Sequence, residues 1–391
     1  MSTELAVVSS ERSPAPPGLL YVVNSLNPGG TERLVMEMGL AFGREFRVAI
    51  VCLDEPGLWA TELRRQGVPV HCLWRQPGLD LSMPVKIARI AREIDAAIIH
   101  AHQCTPWFYG ALSRMFHVAP KVLLEEHGRF YPEEDKPSRR RVNRAVIVPL
   151  SHRFVAVSED VRWRLDRYEG LDAARVDVIY NGVDVGPRLS AAQRIALRQS
   201  LGLSERDIVV GTVGRFDPIK NLPMFIESLA AAREQNGRIR GLLVGDGPEF
   251  AAIQELIQTH GLADAVHLTG FRSDARQLVQ CLDLFVLSSF SEGTSMALLE
   301  AMASGVPAVV TAVGGNPEIV VAGETGWVVP SGAVAALTSA VLDAAADESL
   351  RQEFGRAGRQ RFEDNFTFGR MIECYRELYR AMMPSAVRKH A

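Results

Sequence analysis

Two cations lie close together on one short loop. Arg215 and Lys220 are five residues apart in a run that begins at Gly214 and follows an apolar segment. Arginine and lysine can neutralise the charge that develops on a departing diphosphate without the help of a metal ion. A solvated loop with ordinary surface charges is the alternative. The position after a predicted strand favours anion binding, because ligands of open α/β sheets bind beyond the carboxyl ends of the strands.

A second candidate site combines two carboxylates with a predicted helix N-terminus. Glu292 and Glu300 are separated by apolar and small residues. We expect a helix to begin near Ser295, capped by Thr294 or Ser295, so that its first N–H groups can hold phosphate or sugar oxygens. Glu292 would then accept hydrogen bonds from sugar hydroxyls, and Glu300 from a ribose. The alternative is a pair of surface glutamates, but a carboxylate on a buried helix face needs a partner.

Glycine turns after other predicted strands are weaker candidates. Gly29 and Gly30 follow the first strand and open a helix, which would let the backbone approach a phosphate closely. Asp246 lies in the turn 244–249, and the turn 313–318 is also rich in glycine. Each of these segments is equally suited to plain turn formation.

The histidines allow two interpretations. His127 follows the predicted strand 121–125 and could contact a reacting sugar, although a structural histidine at a strand end is an equal alternative. His100 and His102 resemble a metal-binding pair. They would point to one face only, and no third-ligand motif matches them elsewhere in the sequence, so we predict no metal site.

The segment Lys136–Arg144 carries five cations on a predicted helix. Such a run is usually a solvated helix face. An anionic lipid surface or a phosphate-bearing acceptor is the alternative.

These candidates are positioned by two successive series of strands and helices. The first series has strands predicted at 19–23, 47–52, 70–73, 97–100, 121–125, 154–157 and 176–179. The second has strands at 207–213, 241–244, 266–269, 284–287, 308–311 and 326–329. The clearest helices are predicted at 31–42, 58–66, 84–94, 222–235 and 368–382. This rhythm is typical of two Rossmann-like α/β domains with parallel sheets.

Composition agrees with two domains and excludes several classes of protein. The chain has 391 residues, is 47% hydrophobic and carries a net charge of −3, so we expect two cores and no nucleic-acid partner. Its five cysteines form no CxxC pair, which is typical of thiols in a reducing cytoplasm. No apolar run is long enough to span a membrane, and the first residues do not resemble a signal peptide.

Taken together, these motifs resemble the retaining GT-B glycosyltransferases of sequence family four (group 1), of the type that builds bacterial polysaccharides and lipid-linked glycans. The resemblance covers nearly the whole chain and is strongest over 209–330. It implies two Rossmann-like domains whose parallel sheets face each other across a cleft. We expect an acceptor domain at 1–184 with a disordered leader at 1–17, a donor domain at 185–367, and a helix at 368–391 that crosses back to the first domain.

The resemblance also implies a set of site residues. The catalytic residues that it implies are His127, Arg215, Lys220 and Glu292. The donor-binding residues that it implies are Gly29, Gly30, Arg215, Lys220, Asp246, Phe271, Arg272, Glu292, Gly293, Thr294, Ser295, Met296, Ala297 and Glu300. In such a site Phe271 and Arg272 border the base, and His127 lies near the reactive end of the sugar.

The implied reaction moves a hexose or N-acetylhexosamine from a nucleotide diphosphate sugar, with UDP favoured, to an acceptor hydroxyl with retained anomeric configuration. The acceptor would be a glycan, a glycolipid or a small molecule, and segment 130–144 matches no known acceptor pattern. No metal and no cofactor is expected, and the enzyme would be cytoplasmic or peripheral at the inner face of the cell membrane.

Three other readings of the same motifs remain at this point. A sugar-nucleotide epimerase or hydrolase would release free sugar from the donor without an acceptor. A phosphorylase-like enzyme would need a Schiff-base lysine, and no lysine lies in a suggestive motif. A non-catalytic sugar-nucleotide-binding partner would have little reason to keep Arg215, Lys220, Glu292 and Glu300.

Overall fold

The computed structural model describes residues 15–128, 134–184 and 186–383. The predicted disordered leader at 1–17 therefore lies outside the described residues as far as residue 14, as do Val185 and positions 130–133 of the segment without an acceptor pattern. None of the five cysteines forms a disulfide bond. Among the helices of the described ranges, none is both long and apolar enough to cross a membrane.

The first sheet has seven parallel strands in the order β3-β2-β1-β4-β5-β6-β7. Its strands are β1 Gly18–Val23, β2 Arg47–Cys52, β3 Val70–Cys72, β4 Ala96–His102, β5 Lys121–Glu126, β6 Arg153–Ala156 and β7 Val176–Val178. The helices between them are α1 Gly30–Phe42, α2 Trp59–Arg65, α3 Met83–Glu93, α4 Cys104–Ser113, α5 Pro137–Val142 and α6 Glu159–Arg164, with π-helical turns at Asn143–Ile147 and Leu165–Glu169 and a 3₁₀ turn at Ala173–Arg175. The central strands are continuous apolar runs because helices cover both faces.

The second sheet has six parallel strands in the order β10-β9-β8-β11-β12-β13. Its strands are β8 Ile208–Val213, β9 Ile239–Val244, β10 Val266–Leu268, β11 Leu284–Leu287, β12 Ala308–Thr311 and β13 Gly326–Val329. The helices of this half are α7 Ala191–Ser200, α8 Leu222–Gln235, α9 Phe250–Thr259, α10 Ala275–Val279, α11 Met296–Ala303, α12 Asn316–Ile319, α13 Val334–Ala346 and α14 Glu348–Asn365, and Pro218–Lys220 is a 3₁₀ turn. The last described helix is α15 Phe368–Met382.

Strand order explains where the candidate residues gather. The order reverses between β1 and β4 in the first sheet, and between β8 and β11 in the second. Ligands of open α/β sheets bind at such reversals, beyond the carboxyl ends of the strands. Gly30 follows β1, Lys220 follows β8 and Glu292 follows β11.

The chain crosses between the two halves twice, at one place. Val183 pairs in parallel with Thr367. The Val183 N–H donates to the Phe366 carbonyl at 3.1 Å, and the Phe368 N–H donates to the Val183 carbonyl at 3.2 Å. After the second crossing α15 packs against the first half, where Arg376 pairs with Glu45 at 2.9 Å. The domain limits at 184 and 367 stay predictions.

Candidate active site

The predicted cation Lys220 and the predicted carboxylate Glu292 meet directly. Asp217 caps the 3₁₀ turn that ends at Lys220, and Asn221 then takes a left-handed conformation (φ 47°) before α8. The Lys220 Nζ lies 2.7 Å from Glu292 Oε1. Ser289 donates its hydroxyl to the same oxygen at 2.6 Å. Two loops that are far apart in sequence therefore place opposite charges at the carboxyl ends of β8 and β11.

The loop that carries Glu292 touches the first half of the chain. A Cβ added at Gly293 would lie 2.0 Å from the His127 carbonyl oxygen, so only glycine fits there. A Cβ at Gly30 would lie 3.4 Å from Met296 Cγ. We call this contact zone, formed by Gly30, His127, Gly293 and Met296, the domain seam. Residues predicted separately from the two halves thus come together at the domain seam.

The N-terminus of α11 opens at the same place. Ser295, one of the two predicted capping residues, accepts a hydrogen bond from the Leu298 N–H at 3.4 Å. The other, Thr294, is buried and donates its hydroxyl to the Val157 carbonyl of the first half. The first N–H groups of a helix attract anions. A cation, a carboxylate and a helix N-terminus therefore lie next to the domain seam.

Glu300 is already engaged by two arginines. Its Oε1 lies 2.9 Å from Arg33 Nη1 and 3.0 Å from Arg276 Nε. Both guanidinium groups also pair with Glu37, at 3.1 and 3.0 Å. Burial raises the pKa of Glu300, and the nearby charge of Arg33 opposes this effect. Since Arg33 and Glu37 lie on α1, this cluster of charges joins the two halves of the chain. In the ligand-free protein the carboxylate predicted to bind a ribose is therefore already paired with arginines.

The sequence motifs contain no signal for this cluster. Arg33 and Glu300 are 267 residues apart, and Arg276 lies on a helix that was not predicted. Only the packing of the two sheets brings them together.

Arg215 is the more exposed of the two predicted cations. Its side chain is 65% exposed and lies 3.8 Å from Asp217 Oδ2. Burial raises the pKa of Glu32, which follows the predicted glycine turn of the first half, and the positive charge of Arg215 is among the effects that oppose this. Arg215 is thus close enough to act on the other side of the domain seam.

Of three further predicted donor-binding side chains, two contact their own loops and one is exposed. Asp246 is exposed and accepts a hydrogen bond from the Gly247 N–H at 2.7 Å. Phe271 is 57% exposed. Arg272 pairs with Asp274 at 2.7 Å. The structure places all three on the carboxyl side of the second sheet, as the strand order requires.

His127 belongs to a buried polar cluster that the sequence did not reveal. Its Nε2 lies 2.9 Å from His102 Nδ1 and 3.5 Å from Glu125 Oε1. Glu125 Oε2 lies 3.0 Å from His100 Nε2. The Nδ1 of His100 in turn lies 2.7 Å from the hydroxyl of Tyr379 on α15. The register of β4 and β5 pairs His102 with Glu125, and this neighbourhood could have been found from the aligned strands.

Burial and charge determine the protonation of the cluster. Burial lowers the pKa of His102 well below its usual value, so that ring is neutral near pH 7, and burial also lowers the pKa of His127. Burial by itself would raise the pKa of Glu125, but the attraction of a protonated His127 and the nearby His100 outweigh it. Glu125 is therefore an ionised carboxylate.

The same cluster contains a set of atoms that could hold a cation. The ligand atoms of His100, His102 and Glu125 all lie within 4.8 Å of one another. The sequence motifs offered no third ligand for His100 and His102, whereas the structure places Glu125 beside them. Both histidines use Nδ1 for hydrogen bonds, to Tyr379 and His127, whereas their Nε2 atoms and both oxygens of Glu125 have no hydrogen-bond partner among the described residues. The absence of a metal stays a prediction.

Known proteins support both halves of this description. The family model described as Glycosyl transferases group 1 matches residues 193–361, and that of Glycosyltransferase Family 4 matches residues 28–186. The D-inositol 3-phosphate glycosyltransferase of Gordonia bronchialis is 31% identical over 313 residues, which are 74% of this chain and 67% of the relative. The N-acetyl-alpha-D-glucosaminyl L-malate synthase of Bacillus anthracis is 25% identical over 320 residues, or 79% and 81% of the two chains.

A solved structure shows the same architecture. Anabaena HepE in complex with UDP and glucose superposes with a TM-score of 0.83 at 24% identity, over 93% of this chain and all of its own. At this identity the likeness establishes the fold. It confirms the predicted pair of Rossmann-like domains with facing parallel sheets.

Proposed function

The chain belongs to the glycosyltransferases of family four, group 1, and from that premise we propose that it transfers a hexose or N-acetylhexosamine from a UDP-sugar to an acceptor hydroxyl, with retained anomeric configuration. The observation that carries the proposal is the contact of Lys220 with Glu292 next to the domain seam. UDP is favoured because Anabaena HepE was crystallised with UDP and glucose. The Bacillus relative is named for an N-acetylglucosaminyl group, which supports the choice of sugars.

In the proposed complex the diphosphate lies at the N-terminus of α11, between Lys220 and Arg215. The two cations and the helix dipole stabilise the negative charge that grows on the leaving diphosphate. The Ser289 hydroxyl orients Glu292 by donating a hydrogen bond to its Oε1 at 2.6 Å. The oriented carboxylate can then accept hydrogen bonds from hydroxyls of the transferred sugar. His127 approaches from the first half of the chain. This arrangement needs neither a metal nor a cofactor to neutralise the diphosphate.

Retention follows if attack occurs on the face of the sugar that the diphosphate leaves. The departing phosphate oxygen would then take the proton of the acceptor hydroxyl. Packing of the two halves at the domain seam excludes water, which limits hydrolysis of the donor and aligns the acceptor.

A binding screen and a product analysis test this proposal. UDP-, GDP- and ADP-sugars are added separately and the melting temperature is measured, since a ligand that binds only the folded state must raise it. We expect a UDP-sugar to give the largest increase, and Lys220→Ala to remove most of it. Glu227→Gln, on the exposed face of α8, is the matched control. Transfer that inverts the anomeric carbon, or activity lost in EDTA, would contradict the mechanism.

The basic segment Lys136–Arg144 supports an anionic membrane surface as the site of the acceptor. Three of its cations are paired with carboxylates within the fold: Lys136 with Glu134 at 2.8 Å, Arg139 with Glu169 at 3.0 Å and Arg140 with Asp135 at 3.4 Å. Arg141 is exposed. Large apolar side chains are exposed in the same region at Val142, Val146 and Trp163. Cations beside exposed apolar groups are typical of peripheral membrane contacts, and the acceptor would then be a membrane-borne glycan or glycolipid used in surface polysaccharide or glycolipid synthesis.

Vesicle flotation tests the membrane contact. We expect the protein to float with vesicles that contain phosphatidylglycerol. It should remain at the bottom of the gradient when the vesicles are pure phosphatidylcholine. Arg141→Glu combined with Trp163→Ser should abolish flotation, whereas Arg206→Glu, an exposed arginine of the second half, should not. Equal association with both kinds of vesicle would contradict an anionic surface.

A further inference from the structure

We propose that Arg33 is a positioning residue for Glu300: from the first half of the chain it holds this carboxylate of the second half where a ribose hydroxyl of the bound nucleotide can reach it. Recognition of the ribose then depends on contact between the two halves. The inference rests on the proposed function, because it concerns the nucleotide of the donor. Arg33 acts through Glu300 and not by touching the ligand itself.

Four side chains form a closed ring of alternating charge, which we call the charge ring. Glu300 Oε1 lies 2.9 Å from Arg33 Nη1 and 3.0 Å from Arg276 Nε. Glu37 Oε1 lies 3.1 Å from Arg33 Nε and 3.0 Å from Arg276 Nη2. Arg33 and Glu37 belong to α1, whereas Arg276 belongs to α10 and Glu300 to α11. Each of the two carboxylate oxygens therefore binds one guanidinium group from each half of the chain.

One oxygen of the charge ring is left for a ligand. Both guanidinium groups bind Glu300 through Oε1, and within the described ranges no hydrogen bond reaches Oε2. Glu37 Oε2 is enclosed by protein and has no partner there, whereas Glu300 Oε2 keeps some access to solvent. A carboxylate oxygen accepts hydrogen bonds from hydroxyl groups. Glu300 Oε2 is therefore the atom at which the charge ring can meet a ribose.

The arginines matter because the end of a glutamate side chain turns easily. Its last torsion angle is broad and roughly two-fold, so an unanchored carboxylate would not keep one particular oxygen toward a ligand. Two guanidinium groups on Oε1 of Glu300 form charge-assisted contacts that restrict this rotation. The charge ring thus fixes which oxygen of Glu300 remains free.

Arg33 differs from Arg276 in the half of the chain from which it comes. Arg276 and Glu300 lie in the same half, so their contact does not require the other half. Arg33 lies on α1, which begins at Gly30 of the domain seam, and it reaches Glu300 only when the halves pack together. Burial raises the pKa of Glu300, and the charge of Arg33 is the largest effect that opposes this. Arg33 therefore favours the ionised form of the carboxylate as well as its orientation.

The test compares the binding of UDP with that of dideoxy-UDP, which lacks both ribose hydroxyls, by isothermal titration. We expect the wild type to prefer UDP by at least about tenfold, as for a hydrogen bond to a charged group. Glu300→Gln should reduce this preference to less than about threefold. Arg33→Met should reduce it to the same level, although Glu300 is still present. In Arg33→Met, KM for the UDP-sugar should rise as much as in Glu300→Gln, whereas kcat at saturating donor should stay within about threefold.

Two further variants separate positioning from a general effect on the fold. Arg376→Met is the matched control, because Arg376 is 24% exposed, close to the 22% of Arg33, and also pairs with a carboxylate of the first half, Glu45. It should leave the preference for UDP unchanged. Arg33→Lys keeps the charge but loses the fork of the guanidinium group, so it should lower the preference by at least about threefold. It decides the question if Arg33→Met does not fold.

The outcomes separate this inference from the proposed function. If a folded Arg33→Met or Arg33→Lys protein binds both nucleotides more weakly by the same factor, the preference is unchanged and the positioning role is overturned. Arg33 would then contact the nucleotide directly or only join the two halves. A wild type that binds UDP and dideoxy-UDP equally overturns it as well. If the preference depends on Arg33 but no sugar is transferred from any nucleotide sugar, the proposed function fails and this inference stands.

Discussion

Replacing Glu292 by glutamine should abolish sugar transfer and yet leave the affinity for UDP intact or increased. In the ligand-free protein Glu292 holds Lys220 at 2.7 Å. We propose that this lysine binds the diphosphate and that the carboxylate binds the sugar. UDP alone carries no sugar, so it loses no contact when the carboxylate is removed. It meets a lysine that no longer has a competing anion beside it.

The contact distance and burial set the size of the effect. At 2.7 Å two unit charges attract by about 6 kcal/mol at an effective dielectric of 20 and by about 1.5 kcal/mol in water. The Lys220 side chain is 26% exposed and that of Glu292 8%, so desolvation cancels much of this gross attraction. Hydrogen bonds to charged groups are worth about 1.5–3 kcal/mol and exposed pairs less than about 1 kcal/mol. We adopt about 1–2 kcal/mol for this pair, which corresponds to about a 5- to 30-fold change in Kd.

Isothermal titration of UDP into four proteins measures this energy. The proteins are the wild type, Glu292→Gln, Lys220→Ala and the double variant. We expect Glu292→Gln to bind UDP up to about 30-fold more tightly, depending on how far UDP draws the lysine away. Lys220→Ala should bind about 10- to 100-fold more weakly, since it loses a charge-assisted contact. The double variant should resemble Lys220→Ala, and Glu227→Gln controls for the loss of one negative charge.

One result would refute this reasoning. If Glu292→Gln weakens UDP binding by more than about threefold while its melting temperature is unchanged, the carboxylate contacts the nucleotide itself. The division of labour between Lys220 and Glu292 would then be wrong, and the sugar would have to be bound by other residues of the domain seam.

Three further predictions concern residues around the site and in the framework. Glu300→Gln should lower the free energy of unfolding by about 1–3 kcal/mol, because two arginines lose their shared anion. It should also raise KM for the donor if Glu300 contacts the ribose, and an unchanged KM would argue against that contact. Arg198→Met should lower the free energy of unfolding, measured by urea denaturation, by about 3–5 kcal/mol. The reason is that the buried guanidinium binds the Cys281 carbonyl and Asp283. A loss below about 1 kcal/mol would contradict this. Burial lowers the pKa of His152 to about 4, so the unfolded chain binds the proton first and the free energy of unfolding falls as the pH drops from about 7 to 4. After allowance for solvent screening this loss amounts to about 1 kcal/mol. His152→Asn should make the melting temperature depend less on pH over that range.

Much of the fold could be predicted because apolar runs at strand or helix spacing leave few alternatives. The strands at 47–52 and 284–287 and the helices at 222–235 and 368–382 have the observed limits. Helix α4 was not predicted. It contains Pro106 and Gly110, and most of its residues are buried, so it lacks the one-sided pattern that identifies a surface helix.

The candidate site could be predicted only as far as single loops allow. Strand ends located Lys220, Glu292 and His127, because strand order fixes where ligands bind. The partners of these residues depend on how the two sheets pack, which no local pattern encodes. Arg33 reaches Glu300 across 267 residues, and Tyr379 reaches His100 across 279.

The paired crossings at Val183 and Thr367 have a consequence for synthesis of the protein on the ribosome. The second sheet is inserted between the body of the first half and α15, so the first half is discontinuous in the chain. Tyr379 emerges after both sheets are complete, yet its hydroxyl lies 2.7 Å from His100 in the interior of the earlier one. Domains usually fold in the order in which they leave the ribosome. Here the first half must wait for the second, and the nascent chain completes His127 and its neighbours as one of its last folding events.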